Sequence, residues 1–223
     1  MNPRLLLQMQ DVHLAYRQRR SLLRSSLHPV IRGVSLDIHA GQRLGIMGHN
    51  GAGKSTLLRL MAGIYEPDRG HVLNHGARVS LLSLQAGFDP RLNGWENALL
   101  SGVLMGMTPS QARARLEQIH DFCGLGAQMD DALGTYSSGM RARLGFAVAL
   151  AMEVDLLLVD EVLAVGDEDF QRKCAQAIRE AVERGCSLVL VSHSLPQLQT
   201  WTDSILAFQD GLLLPTDIPV YPK

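Results

Sequence analysis

No apolar run in this sequence approaches the ~18 residues a membrane helix needs; stretches such as "LGFAVALAM" stop well short. The opening "MNPRLLLQMQDVH" is too short in apolar residues, and too early in polar ones, for an export signal. If the protein serves a membrane, another chain has to cross it. Cys123, Cys174 and Cys186 form neither a CxxC pair nor metal-ligand spacing, which points to buried thiols in a reducing compartment. The formal net charge is −1, so no general attraction to nucleic acid is implied. Repeats and low-complexity segments are absent too. What remains is a globular composition, 223 residues and 46% hydrophobic, enough for one core and an inserted subdomain.

The alternation in "VSLDI" (34–38) predicts a half-buried strand, and a turn at Ala40 and Gly41 leads to a second strand, "RLGIM" (43–47). A Gly-rich loop follows, then a helix over "LLRLMAG" that stops near Gly63. From about 87 to 152 the periodicity turns helical, which predicts a helical subdomain inserted in an α/β core. Strands return as the continuous apolar runs "DLLLVDE" and "CSLVLVSH", suited to a buried parallel sheet. Between them Phe170, Cys174, Ile178 and Ala181 share helical spacing, with Asp167 as N-cap and Gly185 as stop.

The loop "GHNGAGKS" satisfies G-x-x-x-x-G-K-[ST] in full, between a strand and a helix. Gly48, Gly51 and Gly53, with Ala52, let the backbone curl its N–H groups around a polyanion. Lys54 would reach terminal phosphates and the Ser55 hydroxyl would bind Mg²⁺, with Thr56 beside it. His49 and Asn50 fill variable positions and are read as shaping the loop, against the alternative of a metal pair or a base. Asp160 and Glu161 end a buried strand, so Asp160 would hold Mg²⁺ through water and Glu161 would polarise an attacking water. His193, after another buried strand, would face the γ-phosphate. The stretch "TYSSGMRARLGFAVAL" (135–150) sets Ser137, Ser138 and Gly139 at the start of an apolar helix, where exposed N–H groups favour an anion.

Read in order, "GHNGAGKST", "YSSGM", "LLLVDE" and "SH" resemble the Walker A, signature, Walker B and switch-histidine motifs of the ATP-binding cassette (ABC) ATPases. The resemblance runs from about 5 to 211 and implies one P-loop NTPase domain over 1–223, with a mixed β core and the helical subdomain at about 87–152. It implies ATP and Mg²⁺ as ligands and a head-to-tail homodimer, in which Ser137, Ser138, Gly139 and Met140 of one copy cap the nucleotide of the other. The usual signature is L-S-G-G-Q, and Tyr136, Ser138 and Met140 depart from it. With "RARLGFAVA", "VDEVLAVGD" and "AGFDPRLNGWEN", the variant resembles the bacterial branch that exports polysaccharides such as O-antigen, capsule and teichoic acid.

That branch implies a separate transmembrane permease, a peripheral position on the cytoplasmic face of the membrane, glycan contacted mainly through the permease, and no nucleic acid. Tyr16 resembles the residue that stacks on adenine, against the alternative of a plain strand tyrosine. Gln85 is the candidate for the family's Q-loop glutamine at the metal, about one residue out of register counted from Glu96 and Asn97. The insertion carrying Arg17, Arg19, Arg20, Arg24 and Arg32 reads either as a solvated charged loop or as a contact for the inner leaflet or a glycan pyrophosphate. At ~1 kcal/mol per basic residue near an anionic surface, membrane residence would depend mainly on the partner. With the chain ending at Lys223, a C-terminal carbohydrate-binding domain is not expected. A soluble ABC ATPase acting on ribosomes or DNA would favour tandem cassettes or a long coiled coil, and a P-loop kinase has no use for "YSSGM".

Overall fold

The computed structural model describes residues 3–19, 25–82, 87–160 and 167–216. The chain divides into two compact units, one made of 1–81, 155–161 and 185–223, the other of 82–154 and 162–184.

In the first unit, β1 (Leu5–Arg19), β2 (Ser25–His39) and β4 (Arg69–Asn74) form an antiparallel sheet in the order β2-β1-β4. The segment expected as an Arg-rich loop is, where described, the continuation of this hairpin: Arg17 pairs with Leu27 and Arg19 with Ser25. Its serines and Pro29 break the period-2 pattern, and cross-strand pairing overrides that weak local preference. "VSLDI" is accordingly only the end of β2. A second sheet has the order β5-β6-β7-β3-β8-β9, with β3 (Arg43–Met47), β5 (Val79–Leu82), β6 (Leu156–Val159), β7 (Ser187–Ser192), β8 (Ser204–Gln209) and β9 (Leu212–Pro215). Within it β6, β7, β3 and β8 are mutually parallel, and β9 is antiparallel to β8. Every residue of β6 and β7 is buried, as their unbroken apolar runs require.

Helix α1 (Lys54–Met61) is eight residues long, too short to hold itself in water. Leu57, Leu58 and Leu60 fix it by full burial in one core with Leu44, Ile46, Val189, Val191 and Phe208, each buried side chain contributing ~1.5–3 kcal/mol. The short helix α7 (Leu195–Trp201) follows β7.

The second unit is helical: α2 (Gly94–Leu104), α3 (Pro109–Ala114), α4 (Leu116–Cys123), α5 (Ser138–Leu150) and α6 (Glu168–Glu183), with 3-10 turns at Gly126–Asp130 and Leu133–Thr135. Ala98, Ile119, Cys123, Met129, Leu133, Tyr136, Leu144 and Val148 form its core. Reciprocal side-chain caps start α2 (Asn93 with Glu96) and α3 (Thr108 with Gln111), and Asp167 caps α6 by accepting from Phe170 N at 2.9 Å. The three thiols are all buried, and burial pushes Cys174 up to about 12.

Asn97 is fully buried and ties the chain ahead of α2 together. Its Oδ1 accepts from Asp89 N at 2.8 Å, and its Nδ2 donates to the carbonyls of Asp89, Leu92 and Asn93 at 2.9–3.0 Å. Asn97→Ala removes all four of these bonds and is expected to lower stability by ~1–3 kcal/mol; an unchanged urea midpoint would refute this anchoring role.

Candidate functional site

Parallel strands deliver their carboxyl ends to one sheet edge, where open α/β sheets bind ligands. Here β3 ends at Met47 beside Ser192 of β7, and Val159 of β6 pairs with Leu190 of β7. The next residues out of the three strands are therefore neighbours on that edge: the phosphate loop from Gly48, Asp160 and His193. Gly48 N donates to Ser192 O at 3.3 Å, which joins the loop to the strand that carries His193.

The loop admits only glycine at two positions. A Cβ on Gly48 would stand 2.7 Å from Phe208 O, and one on Gly53, at φ +108°, 2.4 Å from Val30 Cγ1. With Gly51 also at positive φ, the backbone curls as a phosphate cradle requires. The N-cap of α1 is Gly53, which has no side chain to cap the helix, so the first N–H groups of α1 are suited to an anion. Lys54 lies over the loop, 6% exposed, and its Nζ donates to Gly48 O at 2.7 Å and His49 O at 3.0 Å. Burial lowers its pKa, and the Asp160 carboxylate partly opposes that shift. Cradle, ammonium and helix terminus together fit a polyphosphate.

Ser55 is half-buried in the first turn of α1 and Asp160 half-buried at the end of β6, hard oxygen donors of the kind Mg²⁺ takes. His49 and Asn50 are exposed on the loop. Among the described residues no group of three or more His, Cys, Asp or Glu could hold a metal. Thr56 is buried, and its Oγ1 lies 3.0 Å from the Tyr16 hydroxyl. Tyr16, 40% exposed and edge-on to Tyr65, thus stands beside the loop's own helix. Glu161 and Gln85 fall outside the described residues. His193 is exposed.

In the helical unit Ser137 has extended backbone, and its Oγ accepts from Met140 N at 3.1 Å, capping α5. Ser138 is exposed, and among the described residues the nearest atom to a Cβ placed on Gly139 is Ser137 Oγ at 3.8 Å, which leaves the start of α5 room for an approaching group. Met140 is half-buried and packs against the helical core.

Two positions that the motifs do not mark complete the picture. Ser192 donates to Gln197 Oε1 at 2.7 Å and accepts from Ser194 N at 3.0 Å, which holds the backbone on either side of His193. Arg143, one turn into α5, pairs with Asp167 and lies over the Phe170 ring at 4.9 Å, joining α5 to the start of α6. A buried polar residue at a strand end was the readable sign of Ser192. Arg143 sits in an ordinary helical run and has no such sign.

The profile of the family described as ABC transporter matches residues 31–164. The chain is similar to the O-antigen export system ATP-binding protein RfbB of Myxococcus xanthus, 44% identical over 87% of this chain and 44% of that protein. It is 40% identical to RfbB of Klebsiella pneumoniae, over 86% of this chain and 78% of the relative. It also resembles the teichoic acids export ATP-binding protein TagH of Listeria monocytogenes, 40% identical over 81% of this chain and 54% of the relative. The chain therefore spans less than half of the Myxococcus relative and about half of the Listeria one. Its fold is that of the dimeric ATP-binding cassette MJ0796 solved in a post-hydrolysis state with ADP and Pi, at a TM-score of 0.76 and 21% identity over 93% of this chain and 96% of that one.

Lys54→Ala removes a charged donor worth ~1.5–3 kcal/mol and is expected to weaken binding of an ATP analogue by about 10- to 150-fold, measured by calorimetry. Undiminished affinity would contradict the assignment of the loop.

Proposed function

The chain belongs to the ABC transporter family, and on that premise we propose that it is the ATP-hydrolysing subunit of an exporter of lipid-linked polysaccharide, of the O-antigen, capsular or teichoic acid kind. The observation that carries this reading is the similarity, over more than four-fifths of the chain, to proteins named as export ATP-binding subunits. The geometry supplies the means, because the phosphate loop, Asp160 and His193 emerge at one sheet edge.

In this reading Tyr16 offers its exposed face to adenine. The Lys54 ammonium exchanges its loop carbonyls for the terminal phosphates, held by the N–H groups of the loop and α1. Ser55 and Asp160 would hold Mg²⁺, which supplies charge neutralisation along the phosphates when bound. Glu161 accepts the proton of the attacking water, and His193 donates to the γ-phosphate. Ser137, Ser138 and Gly139 of a second, head-to-tail copy supply the remaining donors. Losing one preorganised donor to transition-state charge typically costs ~2.7–4 kcal/mol, or about 10²–10³ in rate, so hydrolysis waits on dimer closure.

Among the described residues no helix is long and apolar enough to cross a membrane. In the proposed reading a separate permease carries the glycan, and this chain sits peripherally on its cytoplasmic side, as the export-system names of the relatives support. Net charge and motifs give nucleic acid no part.

Glu161→Gln is expected to keep ATP affinity, accumulate ATP-bound dimers by size-exclusion chromatography and lose hydrolysis; unimpaired turnover would remove Glu161 from the base role. Affinity purification of the chain from detergent-solubilised native membranes should bring down a multi-span membrane protein at near equal stoichiometry. Ribosomal proteins or nucleic acid in its place would overturn the exporter reading.

A further inference from the structure

Tyr136 directly precedes the signature serines, and the structure gives its hydroxyl a definite seat. The ring is 3% exposed, in a core with Met129, Leu133 and Leu144. Its hydroxyl donates to Gln128 O at 2.6 Å. Burial, aided by nearby Cys123, Asp131 and Asp130, pushes the phenol up to about 12, so it remains a donor throughout the physiological range.

The seat is shaped by Gly94, the first residue of α2. A Cβ there would lie 2.5 Å from the Tyr136 hydroxyl oxygen, 2.7 Å from Met129 Sδ and 3.1 Å from Met129 Cα. The hydroxyl thus occupies space that any other residue at position 94 would fill. Backbone bonds hold the same two stretches together: Leu133 N donates to Leu92 O and Gly134 N to Pro90 O, both at 2.8 Å, and Asn93 bridges Ala132. Asn97 in turn locks 89–93, as described above. The residue from which the signature departs is therefore fixed by its backbone on one side and its phenol on the other. Packing alone needs only a ring; a bonded hydroxyl lodged over a glycine also fixes position along the ring axis.

We propose that Tyr136 is a positioning residue for the signature, setting where Ser137, Ser138 and Gly139 leave the helical unit and thereby the rate of hydrolysis in the partner copy. The inference rests on the reading that those residues cap a nucleotide. Nucleotide affinity, set by the phosphate loop in the other unit, should be untouched.

The test compares Tyr136→Phe, Gly94→Ala, the combined Gly94→Ala/Tyr136→Phe variant and Ser138→Arg in the full chain, reading ATP-analogue affinity, kcat and melting temperature. Tyr136→Phe should lower kcat about tenfold and Gly94→Ala on the order of 10²-fold, since ångström-scale misplacement costs that much. The combined variant removes the oxygen that the new methyl meets and should recover at least about tenfold over Gly94→Ala. An unreduced kcat in Tyr136→Phe would overturn the inference, and so would a combined variant no faster than Gly94→Ala, because the methyl would then act through Met129. A parallel fall in affinity and rate would mark general loosening and also overturn it. If Gly94→Ala fails to fold, Tyr136→Phe alone decides. Full activity in Ser138→Arg would instead bring down the capping reading itself.

Discussion

The parallel register of β6, β7 and β3 is the constraint on which the candidate site depends. It requires no functional side chain: Leu158 and Val159 of β6, Val189 to Val191 of β7 and Leu44 and Ile46 of β3 are buried on both faces, and the hydrophobic effect keeps them in place. Once the strands are aligned, the residue after each one arrives at the same edge. Asp160 and His193 need only be next in sequence to be near the loop in space. The bond from Gly48 N to Ser192 O joins the start of the loop to that edge.

Much of this was legible in the sequence, because the relevant signals are local. Strand β3 has the bounds that "RLGIM" predicts, and Asp167 caps α6 as its spacing from Phe170 indicates. The full phosphate-loop pattern needed only its strand and helix as context. The long hairpin of β1 and β2 was not legible, since Ser25 to Pro29 have little strand preference and pair only because β1 runs beside them. Buried polar ties were also hidden. Asn97 reads as one more polar residue in "GWENALL" until the carbonyls of Asp89, Leu92 and Asn93 are seen to converge on it.

The two units use glycine differently. At Gly48 and Gly53 its small size lets the loop approach Phe208 O and the Val30 side chain closely. At Gly94 the same property makes room for a phenol, so the missing side chain is filled from within the protein. A motif scan would weigh the first kind heavily and pass over the second.

The fold of Lys54 onto Gly48 O and His49 O has a kinetic meaning. A lysine stem carries ~2 kcal/mol of rotamer entropy, and here most of that freedom is surrendered when the chain folds. In the proposed reading an arriving phosphate would meet an ammonium already placed, which trades one pair of oxygen partners for another. Association should therefore be governed by diffusion into the loop, with the lifetime of the complex left to the contacts that form afterwards.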